Sequence, residues 1–293
     1  MRIVYVGSVR FSEAMLELLI HARAKVVGVC TLKVTPGSSD QIDLSAIACG
    51  ENIPVRYTPD INSFDTETWI RSLEPDIIFC FGWSRLLKKN ILMIPDLGVI
   101  GYHPTALPAN RGRHPIIWAL ALGLRQTASS FFYIDEGTDS GDLVSQRPVP
   151  IYDTDYSEDL YSRIIDTASQ QLLELLDDFA KGNVKRIPQN PLLASYWRKR
   201  RKVDGQIDWR MSGRTILNLI RALSPPYPCA HFTCRGREIR VWRAELGCEI
   251  PLNVEPGKII SAKDTKLLVK TGDGSILLVG YDPLPEIIDG DYL

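Results

Sequence analysis

The feature that most constrains the fold of this chain is an alternation, over its first 182 residues, of short apolar runs with longer amphipathic segments. "RIVYV" (2–6), "KVVGVCTL" (25–32), "IPVRY" (53–57), "DIIFCFGW" (76–83) and "GVIGYHP" (98–104) are rich in β-branched and aromatic residues. Between them lie "SEAMLELLIHARA" (12–24), "DLSAIACGEN" (43–52), "DTETWIRSLEP" (65–75) and "LLKKNILMIP" (86–95), which read as helices. Strands that are apolar on both faces need cover on both faces. Strand–helix–strand alternation supplies that cover as a parallel sheet between helices. The expected fold is therefore α/β, with a Rossmann-like, mainly parallel sheet.

The pattern continues through a helix at 114–123 and strands at 127–135 and 142–151. A long helix then runs from Ser157 to Phe179 and is closed by Gly182. Ser12 and Ser212 are the expected N-caps of their helices. Residues 1–185 are read as one catalytic domain. Beyond them the texture changes: "RIPQNPLLASYWRKRRKVDG" is dense in proline and charge, so 186–206 reads as a linker. After one more helix, "SGRTILNLIRAL" (212–223), strand-like runs and Gly–Asp turns fill the rest. Residues 207–293 are expected to form a small β-rich domain, an OB-like barrel.

Composition serves mainly to exclude. Net charge is −1, which offers no global attraction to nucleic acid or to an anionic membrane. No apolar run reaches the ~18 residues of a membrane span. "MRIVYVGS" lacks the plan of a signal peptide and reads as the first strand. The six cysteines are scattered, without paired spacing, which favours neither zinc nor disulfides and fits a reducing cytoplasm. No HExxH occurs, and no metal is expected. "VGSVRF" after the first strand has a single glycine, too few for a dinucleotide loop.

Two stretches concentrate polar groups at strand ends. "VIGYHPTALPANRGRHP" (99–115) carries His103 and His114 in a segment stiffened by prolines. "YIDEGTDSGD" (133–142) crowds Asp135, Glu136, Asp139 and Asp142 around two glycines. Ligands of open α/β sheets bind at the carboxyl ends of the strands. A carboxylate brought to His103 there would fix its tautomer and make an acid/base pair. The basic run Arg198–Lys202 reads as a solvated linker, or else as a phosphate contact.

"HPTALPANRGRHPIIWAL" followed by "DEGTDSGD" resembles the formyltransferase family that uses 10-formyltetrahydrofolate. The family signature is Asn-x-His, Leu-Pro, Arg-Gly and Pro, with an Asp-x-Gly-x-Asp-x-Gly turn further on. "FCFGWSRLLKKNIL" is similar to the family's folate-binding strand and loop. "DGQIDWRMSGRTILNLIRALSPPYPCA" is similar to the start of the second domain in methionyl-tRNA and nucleotide-sugar formyltransferases.

The resemblance implies transfer of a formyl group to an amine. His103 would stabilise the developing oxyanion, and Asp139 would orient His103 and assist proton transfer. Phe81, Gly82, Arg85, Leu87, Gly137 and Thr138 would face the folate, and Gly7, Ser8 and Arg111 the acceptor. The family's Asn, two residues before the His, is replaced by Gly101, which has no side chain to donate. Asn110, His114 and Tyr102 are the candidate substitutes. The expected acceptor is a nucleotide-linked amino sugar for surface polysaccharide such as lipopolysaccharide, because a tRNA enzyme should carry a broad basic surface. Methionyl-tRNA formylation is the alternative reading, and a non-catalytic folate- or nucleotide-binding homologue is the third. Sugar enzymes of this type also imply a homodimer.

Overall fold

The computed structural model describes residues 1–35, 37, 39–283 and 286–293. Two compact units divide the chain. The first comprises Met1–Pro115, Thr127–Pro150 and Ser162–Trp197. The second comprises Ile116–Gln126, Ile151–Tyr161 and Arg198–Leu293.

In chain order the first half alternates as β1 (Arg2–Val6), α1 (Arg10–His21), β2 (Lys25–Thr31), α2 (Ser45–Gly50), β3 (Val55–Tyr57), α3 (Phe64–Ser72), β4 (Ile77–Cys80), α4 (Lys89–Leu92) and β5 (Val99–His103). There follow β6 (Arg111–Gly112), α5 (Pro115–Ala121), β7 (Gln126–Tyr133), β8 (Leu143–Pro150), α6 (Ser157–Lys181) and β9 (Tyr196–Trp197). Seven strands make one sheet in the order β3-β2-β1-β4-β5-β7-β8. The pairs among β1 to β5 are parallel, and β7 runs antiparallel to β5.

The sheet's core follows from the run composition. Val4, Val6, Cys30, Ile78, Cys80 and Val99 form one apolar layer with Ile61, Ile70 and Ile91 from the helical side. An aromatic layer includes Tyr5, Phe79, Phe81 and Phe131, all fully buried, with Phe81 edge-on to Tyr5 at 5.7 Å and to Phe131 at 5.4 Å. Ser12 is not an N-cap: α1 starts at Arg10 with Val9 as cap, and Ser12 lies in its first turn. Its hydroxyl accepts from the Ser8 and Val9 amides and donates to the Phe81 carbonyl at 2.6 Å. This bond ties the β1–α1 turn to the end of β4. Ser212 does cap its helix, accepting from the Thr215 amide.

In the second unit, α7 (Gly213–Leu223) is followed by β10 (Ala230–Cys234), β11 (Arg237–Leu246), β12 (Ile259–Lys263), β13 (Lys266–Lys270) and β14 (Ser275–Asp282). The five strands form an antiparallel sheet, β10-β11-β14-β13-β12, on which α7 packs. The expected barrel is thus an antiparallel ladder, and among the described residues no pairing joins β10 to β12. No helix among the described residues is long and apolar enough to cross a membrane.

Thiol chemistry follows the burial. All six cysteines are free, with Cys49 and Cys248 exposed and Cys30, Cys80 and Cys234 buried. Burial pushes the Cys30 thiol up to about 12 and raises that of Cys80 as well, leaving almost no reactive thiolate at neutral pH. Treatment of the native protein with a disulfide reagent should label Cys49 and Cys248 first, and Cys30 and Cys80 only after denaturation. Peptide mapping of the labelled protein checks this, and early labelling of Cys30 would contradict the packing of the sheet.

Candidate active site

His103 ends β5, at the carboxyl edge of the parallel strands, and is buried. The loop after it is anchored one carbonyl at a time. Thr127 Oγ1 donates to the Pro104 carbonyl (2.7 Å) and Ser130 Oγ to Thr105 (2.6 Å). Gln146 Nε2 donates to Leu107 (3.0 Å) and Thr105 Oγ1 to Ala109 (3.0 Å). Each such bond satisfies a loop carbonyl that no strand ladder serves. The rigidity expected from the prolines is therefore fixed largely by side chains of β7 and β8.

His103 Nε2 lies 2.9 Å from the Asn110 carbonyl oxygen. A carbonyl only accepts, so the neutral ring carries its proton on Nε2 and an open lone pair on Nδ1. That Nδ1 is 3.7 Å from Asp139 Oδ2, within ion-pair range and beyond hydrogen-bond length. Asp139 Oδ2 is itself held by the Gly112 amide at 2.8 Å. The two expected partners are thus brought together from separate strand ends. A proton taken up at Nδ1 would meet a carboxylate already in place, which suits a group that removes a proton from an attacking amine.

The backbone around this pair is strained. Asn110 (φ +65°), His114 (φ +56°) and Asp139 (φ +50°) all occupy the left-handed region, which costs a non-glycine residue roughly 1–2 kcal/mol. Gly112, at φ +110°, lies where a Cβ would sit 2.4 Å from the Trp197 carbonyl oxygen. Only glycine allows β6 to pair with β9, as it does through Arg111–Tyr196 and Gly112–Trp197. In the turn, Asp135 Oδ1 accepts from the Gly137 amide and the Ser140 hydroxyl.

Gly101 has an explanation that its sequence position did not reveal. A Cβ there would lie 2.7 Å from Ile134 Cγ1 and 3.0 Å from Phe132 Cζ. The space for a side chain on the His103 face of β5 is filled by apolar atoms.

The other expected residues separate into two groups. Tyr102 points to the opposite face from His103, as strand alternation requires. It stacks on Phe11 at 4.0 Å and donates its hydroxyl to Ser129, so it is removed from the candidate donors. Arg111, expected to face the acceptor, is buried, and its donors go to Gln189 Oε1 and to the Tyr196 hydroxyl. Asn110 donates its backbone amide to Ser195 Oγ and has its side-chain oxygen held by the same hydroxyl, while among the described residues its side-chain Nδ2 makes no hydrogen bond. His114 lies just before α5. Gly7 and Ser8 form the β1–α1 turn.

At the end of β4, Phe81 and Leu87 are core side chains, Gly82 takes φ +66°, and Arg85 is exposed. Trp83, beside Gly82, buries an indole N–H that has no partner among the described residues. Gly137 and Thr138 are exposed on the Asp139 turn. An unsatisfied donor, an open turn and a guanidinium, that of Arg85, with no partner among the described residues fit a large polar ligand at this edge. Gln189, Ser195 and Tyr196 were not anticipated. They sit in the segment read as linker, and no local pattern marks them.

The formyl transferase family model matches residues 1–176, and the formyl transferase C-terminal domain model matches residues 199–283. The chain belongs to the formyltransferase family. It is a one-carbon transferase by that membership. It is 32% identical to a methionyl-tRNA formyltransferase of Alkaliphilus oremlandii over 93% of this chain and 88% of the relative. A methionyl-tRNA formyltransferase of Alkaliphilus metalliredigens is 30% identical over 95% and 89%. Among solved structures, an N-formyltransferase from Helicobacter canadensis, in complex with folinic acid and dTDP-3-aminofucose, superposes with a TM-score of 0.72. It is 18% identical, over 94% of this chain and 98% of that one.

Proposed function

We propose that this formyltransferase moves the formyl group of 10-formyltetrahydrofolate to the primary amine of a nucleotide-linked amino sugar. The carrying observation is electrostatic. In the one dense basic run of the chain, Arg198–Lys202, two of the five cations are ion-paired and a third is stacked on a ring inside its own unit. Arg198 makes two bonds to the Asp204 carboxylate, at 2.7 and 2.5 Å. Those bonds hold the Asp204 carboxyl well below the usual carboxylate range. Arg200 stacks over Trp118 at 4.5 Å, and Lys202 pairs with Glu238. Lys199 and Arg201 remain. A tRNA acceptor draws most of its affinity from many phosphate contacts, whereas a sugar diphosphate needs one or two cations. The segment after β2, at the same carboxyl edge, offers Lys33 against Asp40 and Asp43.

In this reading His103 takes the amine proton with Asp139 behind it, and the free amide N–H₂ of Asn110 serves the oxyanion in place of the donor absent at Gly101. Arg85, Leu87, the backbone at Phe81–Gly82 and the turn Gly137–Thr138 hold the folate. Gly7 and Ser8 line the acceptor side. The names of the two Alkaliphilus relatives favour methionyl-tRNA as the second reading. Incubation with 10-formyltetrahydrofolate and a panel of amino-sugar nucleotides, with methionyl-tRNA alongside, separates the two. Tetrahydrofolate release with a sugar and none with the tRNA is expected. Formylated methionyl-tRNA with a silent sugar panel would overturn the proposal.

A further inference from the structure

Gln189 uses every hydrogen-bonding position of its carboxamide. Its Nε2 donates to the carbonyls of Asp139 (2.9 Å) and Gly141 (2.7 Å). Its Oε1 accepts from Arg111 Nε (3.2 Å) and Nη2 (2.7 Å). The orientation is unambiguous, because guanidinium only donates and a backbone carbonyl only accepts. Arg111 is 4% exposed and makes no ion pair with a carboxylate among the described residues. Buried charges are ordinarily paired, so a guanidinium held only by neutral oxygens and the face of the Tyr196 ring calls for another reason to be there.

The turn it reaches has that reason. Asp139 is held in the left-handed region, and Gly141 abuts the Tyr133 carbonyl so closely that no side chain fits. Such a turn keeps its shape only where its surroundings over-determine it. Gln189 grips it on both sides of Ser140, while Arg111, fixed by β6–β9 pairing and by the Tyr196 hydroxyl, keeps Gln189 from rotating. The adjoining residue Gly112 then meets the Asp139 carboxylate.

We infer that Gln189 is a positioning residue, anchored by Arg111, that aims the Asp139 carboxylate at His103, and that the segment 189–197 belongs to the catalytic machinery. This rests on the role proposed for Asp139, and it moves Arg111 from the substrate to the frame of the site.

Gln189→Leu would remove the grip but leave Arg111 unpaired and threaten folding, so the test uses a second variant. Gln189→Glu pairs with Arg111 and keeps the fold, but sets a carboxylate oxygen against the two turn carbonyls. Amide exchange at Gly112, whose N–H points to Asp139, reads the turn position without any acceptor. Positioning predicts that Gln189→Glu exchanges at Gly112 roughly tenfold faster or more. It also predicts a kcat lower on the order of 10²-fold. A merely structural Gln189 predicts wild-type exchange and turnover in Gln189→Glu, and that result overturns the inference. If the wild-type protein formylates no amino-sugar nucleotide, the exchange result still decides the clamp, and the acceptor reading fails separately.

Discussion

Asp139→Asn is expected to lower kcat by about 10²- to 10³-fold while leaving the fold intact. Asn tolerates the left-handed backbone that Asp139 occupies (φ +50°), and its side-chain oxygen can still accept from the Gly112 amide. What disappears is the negative charge 3.7 Å from His103 Nδ1. Without it, the imidazolium formed when the amine gives up its proton has no counterion in a buried site. His103→Ala should cost at least as much. The double variant should be little worse than the poorer single, because residues acting as a unit are not additive. Steady-state kinetics and thermal melting check this together. Turnover of Asp139→Asn within about twofold of wild type, or additive losses, would remove the pair from the mechanism.

Much of this was legible locally. The strand–helix alternation comes from side-chain period, and it gave β1 to β5 and their helices within a few residues. His103 and the Asp139 turn were legible because proline and glycine spacing records a backbone need. Reading failed where the partner is remote in sequence. Arg111 finds Tyr196 across 85 positions, and Gln189 finds Asp139 across 50. The proline-rich composition of that segment points to a linker, while its backbone pairs with β6. Ser12 resembles a cap because serine prefers that place, yet its hydroxyl was claimed by the neighbouring strand end. Tyr102 looked available only while strand parity was ignored.

Gly101 shows the same limit most sharply, and it carries the second large effect. Its absent side chain looks like a lost donor, but the vacated space is occupied. An Asn placed there would drive its Cβ to within 2.7 Å of Ile134 Cγ1 and set a carboxamide among apolar atoms. Overpacking of this kind costs about 1–3 kcal/mol, and an unsatisfied buried amide about 1–3 kcal/mol more. The strain falls on β5 two residues before His103, so Gly101→Asn alone is expected to lower both melting temperature and kcat. Ile134→Ala opens the space, and the pair Gly101→Asn with Ile134→Ala should recover part of both losses, a coupling that a thermodynamic cycle reads directly. Asn110→Ala completes the test of the relocated donor. It should lose about 10²-fold or more in kcat in the wild-type background, and far less in the pair, where the new Asn can take over the oxyanion. A Gly101→Asn variant that is stable and fast on its own would show that Ile134 yields without cost. Equal loss from Asn110→Ala in both backgrounds would show that Asn110 shapes the loop through its left-handed backbone and does not donate to the oxyanion.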